Sequence, residues 1–219
     1  MHTRRPWLLA AALALPTTLV LGCDEDEGGG PSGEAMLVEA HVSSTNARIV
    51  ILDDGSPVSG ATVEVNGITA TPGAASEYLV SFPSPLDAGD PVMVSITAGG
   101  AEVTGTGSFP EGAVTTLPAD GADFGTDQQV PVAWTASTDP LRWVVVAEGG
   151  TTETFDVPGA GSVRAFTIPS GDLEDGAWTI AVVAMSEGDL DGDLEVDSFL
   201  LMAAPAAADP VITMGPQPM

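Results

Sequence analysis

The chain has 219 residues, with 31 acidic side chains against five arginines and no lysine, a formal charge of −26. That balance excludes the basic patches on which nucleic-acid binding depends, since phosphates would be repelled. A hydrophobic share of 44% argues against disorder, while 26 glycines and 18 prolines without a collagen period point to short strands and frequent turns.

Met1-His2-Thr3-Arg4-Arg5 is a short cationic start, followed by an apolar run from Trp7 to Leu21 that Pro16, Thr17 and Thr18 interrupt. The run falls short of the about 20 residues a spanning helix needs, and Pro16 would kink it. A signal peptide over residues 1–22, cleaved before Cys23, is therefore expected rather than a membrane span. Val20-Leu21-Gly22-Cys23 resembles the lipobox of bacterial lipoproteins, with small Gly22 before the cut and Leu21 larger than the residue usual there. The resemblance implies that Cys23, the only cysteine, opens the mature chain and carries covalent lipid. Each buried methylene contributes roughly 0.8 kcal/mol, and more than one acyl chain makes the anchor stable. It also implies an extracytoplasmic protein, lipid-anchored to the inner or outer membrane of a bacterial cell envelope. Thr3-Arg4-Arg5-Pro6-Trp7-Leu8 resembles a twin-arginine export signal as well, so the export route stays open between that and the general one.

Without residues 1–22 the chain holds 31 acids against Arg48, Arg142 and Arg164, a formal charge of −28. Such a charge favours solubility and attracts divalent cations or basic partners. A proteome adapted to salt would give the same composition.

Residues 23–35 form the anchor and an acidic, glycine-rich linker, which begins Asp24-Glu25-Asp26-Glu27 and holds no core-forming residues. Twelve residues of that composition span roughly 20 Å, enough to hold the next domain off a lipid surface. A first β-sandwich module is predicted over 36–110, with strands at 36–42, 47–52, 62–66, 78–82, 91–97 and 102–108. Asn66-Gly67 between Val65 and Ile68 predicts a hairpin, because this pair accepts the φ > 0 of a type I′ turn. Val92, Val94 and Ile96 alternate with Met93, Ser95 and Thr97, the period of a half-buried strand. The run from Gly55 to Val63, with Asn66-Gly67, resembles the opening of bacterial immunoglobulin-like and carboxypeptidase-regulatory-like modules.

A second module is predicted over 113–203, with strands at 113–117, 129–135, 142–147, 151–156, 163–168, 177–185 and 194–202. Seven short strands at this spacing suit a two-sheet sandwich. Val130, Val132 and Trp134 share one face, as do Trp178, Ile180, Val182 and Ala184. With Leu173 ahead of the sixth strand, this pattern resembles fibronectin type III domains, although Trp178 stands where that family usually has tyrosine. The expected fold is thus all-β: two tandem immunoglobulin-like or fibronectin III-like sandwiches after the signal peptide and linker. The Ala/Pro-rich tail, 204–219, is expected to be extended and mobile, since proline removes ladder donors.

Little catalytic chemistry can be assembled. His41 is the sole histidine after residue 22 and sits in a strand candidate, so no Ser-His-Asp or Cys-His set forms without it. Zinc sites need several Cys or His ligands, and a phosphate loop needs the lysine this chain lacks. A carboxylate pair for hydrolysis is arithmetically available, but no cleft is apparent, and the chain is expected not to be an enzyme. Glu187, Asp189, Asp191 and Asp193 alternate around Gly188 and Gly192, a pattern that could offer oxygens to calcium. Their fit to a helix-loop-helix calcium loop fails at Ser198, where a glutamate belongs, and a solvated hairpin tip explains the charges equally. Trp143 could stack on a sugar or pack in the core; Tyr78 and Phe82 carry the same ambiguity. The expected function is a lipid-anchored structural or interaction protein with an envelope or surface protein as partner. The alternative is an accessory module that binds glycan through Trp143 or calcium through 187–197.

Overall fold

The computed structural model describes residues 35–74, 77–159, 161–206 and 209–216, and every regular element among them is a strand. In the first half these are β1 (Met36–Ser43), β2 (Asn46–Asp53), β3 (Ser56–Pro57), β4 (Thr62–Val65), β5 (Ile68–Thr69), β6 (Thr71–Pro72), β7 (Glu77–Ser81), β8 (Pro91–Ala98) and β9 (Ala101–Ser108). There follow β10 (Val114–Leu117), β11 (Asp123–Gly125), β12 (Val130–Thr135), β13 (Arg142–Glu148), β14 (Thr152–Asp156) and β15 (Ala165–Ile168). The chain closes with β16 (Gly176–Gly192), β17 (Phe199–Pro205) and β18 (Val211–Gly215).

Period-two patterning makes the first sandwich. Val92, Val94, Ile96 and Ala98 are buried on β8 while Pro91, Met93, Ser95 and Thr97 face water, and β1 alternates likewise through Met36, Val38, Ala40 and Val42. Asn66 and Gly67 both take positive φ, 52° and 73°, and close the expected β4–β5 hairpin. The Asn66 side chain then donates to Pro91 O and accepts from Met93 N, fastening the turn to β8. One layer runs β17-β1-β2-β7-β6, with β3 on β2; the other runs β5-β4-β8-β9-β16. The 58–61 segment crosses between them under the buried Tyr78 hydroxyl, which donates to Val58 O at 3.1 Å and accepts from Ala61 N at 3.0 Å.

In the second sandwich a three-stranded sheet, β10-β12-β15, faces the order β14-β13-β16-β18-β11. Trp134 from one layer meets Trp143 from the other with ring centroids 5.5 Å apart. Val130, Val132, Ile168, Leu173, Val145, Ile180 and Val182 fill the space around them. This is the all-β sandwich architecture that the strand pattern predicts.

The two sandwiches share strands. β16 pairs with β18 over 176–179 and with β13 over 179–185, then with β17 over 183–188 and with β9 over 189–192. Its 17 residues have a contour of roughly 55 Å at strand rise. β17 turns back beside it and also lies parallel to β1, Glu39 opposite Phe199 through Ser43 opposite Ala203.

Two expectations are corrected here. The strand foreseen at 194–202 as the last of the second module joins β1 in the first layer instead. It keeps its pairing with β16 over 183–188, while β18, from the tail expected to be mobile, pairs with β16 over 176–179, with Ile212 and Met214 buried. Hydrogen bonds from Thr213 N to Ala122 O and from Ile180 N to Pro210 O hold β18 despite its flanking prolines.

Glycines make the shared strand possible. A Cβ on Gly188 would lie 2.6 Å from Thr106 O, and one on Gly107 2.6 Å from Met202 Cε. Residues 36–110 alone lack β16 and β17, leaving the edges of β1 and β9 open and much of their apolar face bare. Calorimetry should show no cooperative thermal transition for that fragment, in contrast to the chain from residue 23 onward. A sharp reversible transition of 36–110 by itself would refute the interdependence.

Candidate functional site

The acidic segment singled out in the sequence lies where the chain enters the fold. Met36 N donates to Asp193 O at 3.0 Å, Glu195 N to Met36 O at 2.9 Å, and Met36 faces Leu194 in a parallel bridge. Ser198 Oγ accepts from Val38 N and donates to Met36 O. The 193–198 connection is thus a clasp on the first residues of β1. Asp53 sits opposite Met36, and Asp54, Glu102, Asp191, Asp193 and Asp197 are exposed around the same pole. Each arginine of the described chain is engaged elsewhere: Arg48 with Glu77 at 2.6 Å, Arg142 with Asp156 at 3.5 Å, Arg164 with Asp139 at 2.5 Å. The pole is therefore uniformly negative.

Its geometry does not gather a calcium ion's ligands. Glu187, Asp189 and Asp191 fall at alternate positions on β16, not around a loop, which sets neighbours on one face about 7 Å apart. Asp193 lies beyond the strand end. No group of three or more His, Cys, Asp or Glu side chains among the described residues converges as a metal site. The sequence ends its strand at 185 because apolar alternation stops at Met185. Backbone pairing on both edges carries the strand onward, with only Leu190 still pointing into the core.

Trp143 is likewise corrected from a possible stacking platform to a core residue. It is 1% exposed, because β13 is buried on both faces. Its Nε1 donates to Gly161 O at 2.6 Å, and the Arg164 guanidinium lies 5.3 Å over its ring. Arg164 also donates to Gly161 O, to Val163 O at 2.9 Å and to Thr138 O at 3.1 Å. A Cβ on Gly161 would overlap Pro140 O, so the backbones of Gly161 and Pro140 pack directly against each other beside the indole. Tyr78 is buried and Phe82 is half-buried against the core. No aromatic ring among the described residues is exposed to stack on a sugar.

His41 packs edge-on against Phe199, centroids 5.1 Å apart. Burial, and then the nearby Arg48, lower its pKa and keep it neutral. Gly22 and Cys23, where cleavage and lipidation are expected, lie outside the described residues.

Sequence reasoning missed a second apolar cluster on the face of the shared layer away from the main core. Val144 and Val146 of β13, Val183 and Met185 of β16 and Leu201 of β17 form it, with Ala181, Phe199 and Ala203 alongside. The signal was the unbroken apolar runs of β13 and β17, which alternation cannot assign to one face. Glu148 continues the Val144–Val146 face of β13. Burial, with a further contribution from the Glu148 carboxylate, pushes Asp209 up to about 6 from its ordinary 3.8.

No family model and no curated protein matches the chain. Among solved structures, it is similar to the Bacteroides ovatus mixed-linkage glucan utilization locus SGBP-B in complex with a mixed-linkage heptasaccharide. The identity is 13%, over 81% of this chain and 44% of that one, with a TM-score of 0.26. It is also similar to DIP-gamma IG1+IG2 at 10% identity, over 84% of this chain and 99% of that one, with a TM-score of 0.24. The chain thus spans less than half of the first structure, and at these TM-scores neither likeness carries an argument about function.

Two outcomes test the site. Trp143→Ala should lower stability by about 3–5 kcal/mol in denaturant titration; an unchanged midpoint would restore the surface reading. Asp209 has a folded pKa above its unfolded value, so its ionisation opposes folding at neutral pH. That penalty is relieved as pH falls from about 6 towards 4. Asp209→Asn should raise Tm at neutral pH and lose the advantage near pH 4, in melts across that range.

Proposed function

We propose that the chain is a lipid-anchored, extracytoplasmic lipoprotein of the bacterial envelope, non-enzymatic, acting as a structural or interaction module. The observation that carries this reading is Val20-Leu21-Gly22-Cys23, with the only cysteine placed between an apolar leader and an acidic, glycine-rich segment. No disulfide can form within the chain, so Cys23 has anchoring as its task. Two features of the fold support an interaction role. Among the described residues the arginines are committed to ion pairs within the fold, and the aromatic rings are buried in the cores or half-buried. The surface left for recognition is acidic strand faces and loops, which suit an envelope or surface protein with a basic contact region.

The accessory-module reading, glycan or calcium, loses its named residues. Trp143 is enclosed, and Glu187, Asp189, Asp191 and Asp193 do not converge.

The test is fractionation. Wild-type protein should sediment with membranes, and Cys23→Ala, once shown to be cleaved from its leader, should appear in the soluble fraction. Retention of cleaved Cys23→Ala in the membrane would sink the anchor. Cross-linking in native membranes followed by pull-down then identifies the partner. Recovery of an envelope protein supports the interaction role, and turnover in a hydrolase screen would overturn the non-enzymatic one.

A further inference from the structure

The fold gives the molecule two poles, and the chain enters at one of them. β1 begins at Met36 in the 193–198 clasp and runs, parallel to β17, toward the second sandwich: Ser43 lies opposite Ala203, and Ala204 and Pro205 already pair with Ala184 and Val183. The entry point is therefore the end of the first sandwich that lies away from the second.

The opposite pole follows from the register of β16. Its first residues, Gly176 to Thr179, pair with Met214 to Val211, and Glu148 of β13 meets Thr179. The β13–β14 turn at 149–151 and the 169–175 approach to β16 therefore gather there. The 126–129 segment joins them, since Gly171 N donates to Thr126 O. β16 runs from this outer pole to the clasp without a break, so no inter-module hinge lets the second sandwich swing back.

We infer that the first sandwich stands at the lipid surface with its 193–198 clasp facing the headgroups. The second sandwich projects outward, with the loops 126–129, 149–151 and 169–175 at its far end. The inference rests on the proposed attachment through Cys23. Only the twelve residues 24–35 separate that anchor from the fold, a covalent reach of at most about 40 Å, against roughly 55 Å for β16. Charge sets the posture. With 31 acids against three arginines after residue 22, a molecule lying flat would bring its whole acidic length within about 8 Å of anionic headgroups, the distance over which repulsion acts at physiological salt. An upright molecule brings only the clasp there.

Energy transfer to labelled lipid tests this. The chain 23–219 has one thiol, at Cys23, which can be coupled to a maleimide lipid in vesicles of phosphatidylcholine and phosphatidylglycerol. A donor dye is placed through an azide-bearing residue at Val196, fully exposed in the clasp, or at Gly150, where a Cβ meets no atom within 4 Å. Melting of each labelled variant confirms the fold. Transfer to a headgroup-labelled lipid should be several-fold stronger from position 196 than from position 150. Equal transfer, or stronger transfer from 150, would overturn the orientation. Because attachment is chemical here, that result leaves the lipidation reading standing, and failure of the Cys23→Ala fractionation would leave this measurement standing.

Discussion

A strand inside a sheet has both edges committed, and β16 commits each edge twice. Along one edge β18 gives way to β17; along the other β13 gives way to β9. Tandem sandwiches usually meet through a linker and a modest interface, and their relative motion is the default expectation. Here the junction is a continuous hydrogen-bonded ladder with apolar packing on both faces, Val182 and Ala184 on one side, Val183 and Met185 on the other. Each such buried aliphatic side chain of valine size or larger contributes about 1.5–3 kcal/mol. Folding of either sandwich is thereby tied to residues that belong, by chain order, to the other.

Chain order is also where sequence reading reached its limit. Strands with strict alternation, such as β1, β8 and β12, were legible to within a residue or two, as was the Asn66-Gly67 turn. β13 was legible as a strand, but apolar side chains on both faces hid which way Trp143 points. The second half of β16 gave no apolar signal, since Glu187, Gly188, Asp189 and Asp191 read as a loop. Its last residues take strand character from partners more than 80 residues away, Thr106 to Val103, and period counting sees only neighbours. β18 was hidden by the prolines around it, and a strand held by β16 and β11 through long-range pairing carries little local mark of its own.

Electrostatics and packing divide the labour at the surface. Arg48, Arg142 and Arg164 are spent on local ion pairs, of which only Arg164 also supports a buried group by lying over Trp143. Exposed pairs of this kind contribute at most about 1 kcal/mol, so the remaining acids bear mostly on solubility, posture and choice of partner. Long-range repulsion from anionic surfaces and attraction to basic ones then follow from composition, while the shape that presents the charge follows from the shared strand.

The placement of β1 has a mechanical consequence. Its first residue is the point of entry to the fold, and β1 lies between antiparallel β2 and parallel β17. Tension between Met36 and the outer sandwich draws β1 along its own axis, so the ladders on both sides bear the load in shear, many hydrogen bonds at once. β17 hands that load to β16, which crosses into the second sandwich without a joint. The load path from entry point to outer loops is backbone ladder throughout, and nowhere along it does a single turn carry the strain alone.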